Sequence, residues 1–210
     1  MNIRNIFQNK KPIIGIAAVM MVFTSTNSSY AQTVSGSING HDYVDLGLSV
    51  KWATCNVGAD SPEEYGDYYA WGETSTKGTY TEDNSMTYGN NMGDISGNSL
   101  YDAARANWGS TWRLPTKMEF KELMSNCTWT WTTQGSVNGY KVTGPNDNTI
   151  FLPAAGSSFL PDFGDGCYWS STPEEHISYL AYSLDFCSDY RYMTYIYHRY
   201  AGFTIRPVTK

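Results

Sequence analysis

The stretch of sequence that decides the fold lies at residues 112–120 and reads Trp112-Arg113-Leu114-Pro115-Thr116-Lys117-Met118-Glu119-Phe120. Thr116 and Glu119 have the spacing of a capping box, in which each side chain accepts a hydrogen bond from the backbone of the other residue. Pro115 comes just before the cap, and Phe120 and Leu123 recur at helical spacing. The stretch therefore predicts a helix that begins after Thr116 and ends near Asn126.

The sequence around this helix predicts one more helix and several short strands. Ser99 is the expected cap of the shorter helix, with Asp102 in its first turn and residues 107–109 at its end. Residues 73–98 contain few large aliphatic side chains and predict a long functional loop. Two helices and many short strands together predict an α+β fold. The predicted strands are 43–46, 50–55, 140–143, 149–152, 180–186 and 203–206.

The run 180–186 alternates with a period of two. One face carries Leu180, Tyr182, Leu184 and Phe186, and the other carries Ala181, Ser183 and Asp185. Because the first face is apolar, we predict that Ser183 and Asp185 point to solvent.

The segment from Cys167 to Tyr200 is rich in Tyr, and no Asn follows Asn148. Tyr offers a large amphipathic contact area at a small entropic cost, as in recognition surfaces. It also favours strands, so an ordinary Tyr-rich sheet is the alternative. The segment predicts a ligand-binding face, whose residues are Tyr179, Ser183, Asp185, Tyr190, Tyr192, Tyr195, Tyr197 and His198.

Residues 1–31 have the pattern of a signal peptide. The apolar run 13–23 follows a basic start and is too short to span a bilayer, and residues 29–31 fit a cleavage site. We interpret residues 32–40 as a linker and 41–210 as one domain. An exported protein is therefore expected, either periplasmic, cell-surface or secreted, with no membrane span in the mature chain. An uncleaved membrane anchor is the alternative.

The charge of the chain argues against some classes of partner. The full chain carries a net charge of −6, and the signal segment contains Arg4, Lys10 and Lys11 but no acidic residue. The mature chain is therefore more acidic than the full chain. This charge argues against nucleic acid or an anionic membrane as the partner.

The sequence predicts no catalytic residue, cofactor or metal site. The cysteines and the scattered histidines do not have zinc-site spacing, and no nucleophile elbow, zincin motif or phosphate loop is present. Export favours disulfides, but four cysteines allow three pairings, and the residues do not choose among them. The cysteines are Cys55, Cys127, Cys167 and Cys187.

The stretch 112–120 resembles the W-R-L-P-T-x-x-E block of the formylglycine-generating-enzyme type of C-type lectin-like fold. The chain is more closely similar to the exported Bacteroidetes proteins called Fibrobacter succinogenes major paralogous domain proteins. The resemblance covers nearly all of residues 41–208. Its other motifs are Tyr43-Val44-Asp45-Leu46-Gly47-Leu48, Trp52-Ala53-Thr54-Cys55-Asn56-Val57-Gly58-Ala59, Tyr65-Gly66-Asp67-Tyr68-Tyr69-Ala70-Trp71-Gly72-Glu73-Thr74, Tyr168-Trp169-Ser170-Ser171 and Arg206-Pro207-Val208.

The resemblance implies two helices, small twisted antiparallel sheets and much loop, with the ligand face on the C-terminal strands and loops. It places Cys55 and Cys127 in the fixed part of the domain, where we expect them to form a disulfide, and it leaves Cys167 and Cys187 as a second candidate pair. Arg113 and Glu119 are expected to be structural. The expected core residues are Trp112, Leu114, Phe120, Leu123, Trp169 and Ile205.

Within this fold family, diversity-generating retroelements vary a C-terminal segment by replacing adenines, which converts Asn codons to Tyr, Ser, Asp, His, Ile, Thr or Cys codons. The composition of residues 174–200 matches that outcome. We hypothesise that the segment is diversified in this way. The alternative is an undiversified paralogue with a Tyr-rich tail.

The sequence favours a binding protein over an enzyme. The leading hypothesis is an adhesion or recognition protein whose ligand is a protein or another cell-surface partner. A glycan-binding lectin-like module is the first alternative, and a structural surface protein is the second. A cysteine-oxidising enzyme is the least favoured, because Cys167 and Cys187 lack the close spacing of that enzyme's copper ligands.

Overall fold

The computed structural model describes residues 32–160 and 164–210. Over these residues the chain forms two α-helices, ten strands and a 3₁₀ turn at Glu82–Asn84. The elements are β1 (Gly36–Ile38), β2 (His41–Val44), β3 (Lys51–Ala53), α1 (Ala103–Trp108), α2 (Lys117–Asn126), β4 (Thr128–Gln134), β5 (Val137–Thr143), β6 (Thr149–Pro153), β7 (Gly166–Pro173), β8 (Leu180–Phe186), β9 (Arg191–His198) and β10 (Val208–Thr209). Neither described helix has the length and apolar character needed to cross a membrane. The predicted signal peptide, residues 1–31, lies outside the described residues.

The described strands form three antiparallel sheets, with strand orders β1-β2-β3-β10, β4-β5-β6 and β7-β8-β9. Small sheets combined with two helices confirm the predicted α+β class. Part of the segment interpreted as a linker forms β1, which pairs with β2. The turn at 144–148 joins β5 to β6 as predicted, and the Gly144 N–H donates to the Asn148 carbonyl at 2.9 Å.

Helix α2 begins and ends where the sequence predicts. The Thr116 hydroxyl accepts from the Glu119 N–H at 3.2 Å, and the Thr116 N–H donates to Glu119 Oε2 at 2.8 Å. Both terminal nitrogens of Arg113 also donate to the Glu119 carboxylate, at 2.8 and 2.5 Å. Burial disfavours the charged form of Glu119, but these hydrogen bonds outweigh burial and lower its pKa. Arg113 and Glu119 therefore fix the start of α2.

Helix α1 begins three positions later than the sequence predicts, because Asp102 rather than Ser99 caps it. One carboxylate oxygen of Asp102 accepts from the Arg105 N–H at 3.0 Å. The other accepts from the N–H groups of Gly97 and Leu114, at 2.7 and 2.9 Å. Asp102 is buried, and burial raises the pKa of its carboxyl. A buried carboxylate that holds three separate backbone donors is a stronger cap than an exposed hydroxyl.

The prediction of a last strand at 203–206 is wrong. Phe203 and Thr204 form single bridges with Tyr69 and Tyr168, and the strand that joins the first sheet is β10, after Pro207. The physical reason is that the carbonyls of residues 203, 204 and 205 accept from three separate segments, at the N–H groups of residues 69, 169 and 57, and not from one partner strand. The side chain of Arg206 is buried and joins this stretch to the end of β3. Its Nε donates to Asn56 Oδ1 at 2.7 Å, and Nη1 donates to the carbonyls of residues 53 and 54 at 3.0 and 2.7 Å.

Two hydrophobic clusters make up the core. The first surrounds Trp52 and Phe120, whose ring centroids are 5.4 Å apart, and the second surrounds Trp112 and Trp169. All six residues predicted to be core are buried, which confirms that part of the sequence analysis.

Replacing Phe120 by Ala should lower the free energy of unfolding by about 3–5 kcal/mol, because the ring is fully buried between α2 and β3. The matched control is Met118→Ala on the exposed side of the same helix, which should change it by less than about 0.5 kcal/mol. Chemical denaturation of both variants measures the difference. Equal stabilities would contradict the packing of α2.

Candidate functional site

Strand β8 is the central strand of its sheet, and both of its faces are covered. Leu184 and Phe186 pack in the first cluster, and Ala181 packs in the second. Ser183 and Asp185 share a face with Ala181, and only 0% and 3% of their surfaces are exposed. The prediction that Ser183 and Asp185 are exposed parts of a ligand-binding face is therefore wrong.

Asp185 lies in a polar group in the interior. The Tyr197 hydroxyl donates to Asp185 Oδ2 at 2.9 Å, and the Cys167 thiol donates to the same oxygen at 3.8 Å. Burial raises the pKa of Asp185. The Tyr197 ring packs edge-on against Phe203, with centroids 4.8 Å apart. Tyr197 is thus half-buried, and its hydroxyl faces inward rather than toward a ligand.

Tyr190, which is half-buried, and Tyr192, which is exposed, form a pair at the beginning of β9. Their rings stack with centroids 5.1 Å apart, and nearly half of the Tyr192 surface is accessible. The side chain of Tyr195, also predicted to bind ligand, lies outside the described side chains.

A second group of surface rings, two of them exposed and two half-buried, lies at the other end of β9, and we call it the aromatic cluster. It comprises Tyr88, Tyr179, His198 and Tyr200. Tyr179 and His198 stack at 5.5 Å, and His198 and Tyr200 stack at 5.2 Å. Tyr88 contacts all three rings at 5.5–6.0 Å, and its hydroxyl lies 3.4 Å from His198 Nδ1. The cluster brings together the long loop, the β7–β8 connection and the end of β9.

Arg199 lies beneath the aromatic cluster and contacts each of the three segments that carry it. Its Nε donates to the Leu180 carbonyl at 3.1 Å. Its Nη1 donates to the carbonyls of Thr87 and Asn90, at 3.2 and 2.8 Å. In the chain, Thr87 is next to Tyr88, and Leu180 is next to Tyr179. Arg199 lies between the other two residues of the cluster, His198 and Tyr200. The Arg199 side chain therefore ties the long loop, which carries Tyr88, to the segments that carry the other three rings. Those segments are also joined to each other by the β8–β9 ladder and by the Arg199 N–H, which donates to the Tyr179 carbonyl at 2.9 Å.

The guanidinium of Arg199 is a buried charge without an acidic partner. The residue is 1% exposed, and no carboxylate of a described residue lies within ion-pair distance of it. Burial lowers the pKa of Arg199 to about 10. The carbonyl dipoles offset the charge, and so does the Trp71 ring, whose centroid lies 4.3 Å from the guanidinium carbon. Removing this group takes a charged donor from each of the three carbonyls, although those of Thr87 and Leu180 keep the backbone N–H groups of Asn90 and Glu174 as donors.

The predicted ligand face thus resolves into three parts. Tyr179 and His198 belong to the aromatic cluster, and Tyr190 and Tyr192 form a separate pair roughly 15–20 Å away along the strand. Ser183, Asp185 and Tyr197 belong to the interior.

The cysteines do not pair as expected. All four lie among the described residues as free thiols, and no two are at disulfide distance. The expected disulfide between Cys55 and Cys127 is therefore wrong for this structure. Cys127 follows α2 and packs against the first cluster, whereas Cys55 borders a groove beside His41 and Trp108. Burial raises the pKa of Cys127 to about 11.

Neither a family model, a curated protein nor a solved structure matches this chain. The sequence analysis did not identify Tyr88, Arg199 or Tyr200 as site residues. The unusual length of the loop at 73–98 was a usable signal for Tyr88. No local sequence pattern in this Tyr-rich segment distinguishes a buried arginine from an exposed one.

We expect all four cysteines to be free thiols in the purified protein, as determined by peptide mapping without reduction. Alkylation of Cys167 should be much slower than that of Cys187, because Cys167 is buried and its pKa is raised by burial and by Asp185. A peptide linking Cys55 to Cys127 would contradict the structure.

Replacing Arg199 by Met should lower the free energy of unfolding by about 2 kcal/mol, because three carbonyls lose a charged donor and the Trp71 ring loses its cation. The control is Arg191→Met at the exposed start of β9, the strand that Arg199 follows, where Arg191 stacks over Trp129 and Tyr140. That change should cost less than about 1 kcal/mol. Urea titration measures the free energy of unfolding of both variants. Equal losses would contradict the stabilising role of the Arg199 hydrogen bonds.

Proposed function

We propose that this chain is an exported recognition protein that binds a protein or other cell-surface partner through the aromatic cluster. The observation that carries the proposal is the group of four exposed or half-buried rings, drawn from three separate segments that one buried arginine joins. For the scaffold we propose the C-type lectin-like class. The small antiparallel sheets, the two helices and the capping box at Thr116 support that class.

The aromatic cluster has the physical properties of a recognition surface. Tyrosine and histidine rings combine a large apolar area with polar atoms at the rim. The hydrogen bonds of Arg199 hold the backbone beside Tyr88 and Tyr179 before any partner arrives. Little conformational entropy is therefore lost on binding, and more of the contact energy is available as affinity.

The proposal does not depend on whether the segment is diversified by a retroelement. Tyr179, Tyr192, Ile196 and His198 are exposed, so variation at these positions would alter the surface and leave the core unchanged. Ser183 and Asp185 lie in the interior, so variation at these positions would act on stability instead.

The double change Tyr88→Ala with Tyr179→Ala should weaken binding to cells by about 30-fold or more, because it removes two aromatic anchors. Flow cytometry of the labelled protein on a panel of intact bacterial and host cells measures this. Protease treatment of the cells should abolish binding if the partner is a protein, whereas glycosidase treatment should not.

The matched control is Tyr190→Ala with Tyr192→Ala, which removes the tyrosine pair at the beginning of β9 and should leave binding unchanged. Both double variants should keep their melting temperatures within a few degrees of the wild type. A folded Tyr88/Tyr179 variant that binds like the wild type would refute the proposal. Loss of binding in the control alone would move the site to the beginning of β9.

A further inference from the structure

The same long loop that supplies Tyr88 also forms one wall of a separate cleft of about 650 Å³. The other walls come from residues 66–68 and 158–159. None of its lining residues belongs to the aromatic cluster or to the predicted ligand face. Its volume lies within the range of small-molecule sites. The cleft is therefore not part of the proposed recognition surface.

The cleft is held open by hydrogen bonds within the loop and to its neighbours. The Tyr80 hydroxyl accepts from the Lys77 N–H at 3.2 Å and donates to the Tyr68 carbonyl at 2.5 Å. The amide of Asn84 donates to the Thr79 carbonyl at 3.0 Å. These contacts fix the loop against residue 68, so the cleft does not need to be formed by a ligand.

The charges of the lining residues argue against an anionic ligand. Among the described residues of the cleft, Lys77 is the one cation, and its ammonium lies 2.6 Å from the carboxylate of Glu73. The same ammonium also donates to the Asn84 carbonyl. Asp67, in contrast, is exposed, and its carboxylate keeps acceptor capacity beyond its 3.3 Å contact with the Tyr69 hydroxyl. The cleft therefore presents acceptors and no available cation.

The remaining walls combine an aromatic face with hydroxyl groups. Phe159 is 55% exposed at the edge of the cleft, and Tyr68 and Tyr80 contribute further ring surface. The hydroxyls of Thr76, Thr79 and Ser158 border the same space. A ligand that suits both features has apolar C–H faces and many hydroxyls, and it carries no negative charge. We infer that the cleft binds a neutral saccharide.

The test uses the purified protein on an array of immobilised neutral, sialylated and sulfated glycans, followed by titration of the strongest neutral glycan in solution. Binding should be confined to neutral glycans. Phe159→Ala should weaken it about tenfold or more, because the stacking surface is removed. Asp67→Asn should weaken it severalfold, because an amide replaces one of the acceptor oxygens.

The matched control is Leu160→Ala, because Leu160 is also 55% exposed and is the next residue in the chain. Phe159 and Leu160 both line a smaller cavity of about 270 Å³, but Phe159 alone of the two lines the large cleft. Leu160→Ala should therefore bind the glycan like the wild type. Absence of any neutral glycan binding, or equal binding by the Phe159 and Leu160 variants, would overturn the inference.

The cleft and the aromatic cluster share no residue, so separate variants test the saccharide site and the recognition surface. The Tyr88→Ala with Tyr179→Ala variant should retain glycan binding while it loses cell binding. If that variant loses glycan binding instead, the saccharide site is at the aromatic cluster and the assignment to the cleft is wrong.

Discussion

The hydrogen bonds of the buried Arg199 are the constraint on which the recognition surface depends. Its guanidinium joins the long loop, the start of β8 and the end of β9 through three backbone carbonyls. A planar group with five donors is suited to this task, since it reaches several acceptors at fixed angles. Removing the charged guanidinium from water costs free energy, and this desolvation lowers the pKa of Arg199.

Two other arginines repeat this arrangement elsewhere in the chain. Arg206 is fully buried and binds the carbonyls of residues 53 and 54 together with the Asn56 side chain. Arg113 binds both oxygens of Glu119 at the start of α2. A domain with short strands and long loops leaves many backbone carbonyls outside regular ladders, and each must find a donor. Arginine side chains supply donors at the junctions where the segments meet.

Several local patterns predicted the structure correctly, because the groups that interact are close in the chain. The capping box at Thr116 and Glu119 is an example, and so is the buried Phe120 one turn further on. The alternation of β8 also placed residues correctly on a shared face. It did not show that the face with Ser183 and Asp185 is covered, because periodicity tells which side chains share a face and not what lies over it.

Contacts between segments that are distant in the chain could not be predicted from the sequence. The distance from Cys55 to Cys127 depends on how the first sheet and α2 pack, and neither residue carries a local signal of it. Tyr88 lies in a loop without periodicity, more than a hundred positions from His198, which its hydroxyl approaches at 3.4 Å. Nothing local to Arg199 distinguishes it from an exposed arginine such as Arg191.

Proton NMR of the free protein tests the central claim most directly, namely that Arg199 fixes the aromatic cluster before a partner binds. The wild type should show nuclear Overhauser contacts from the Tyr88 ring to the rings of Tyr179 and His198. Arg199→Met should lose them while keeping the contacts between Trp129 and Tyr140, whose rings lie 5.3 Å apart in another part of the fold. A wild-type spectrum without contacts from Tyr88, or an Arg199→Met variant that retains them, would contradict the account.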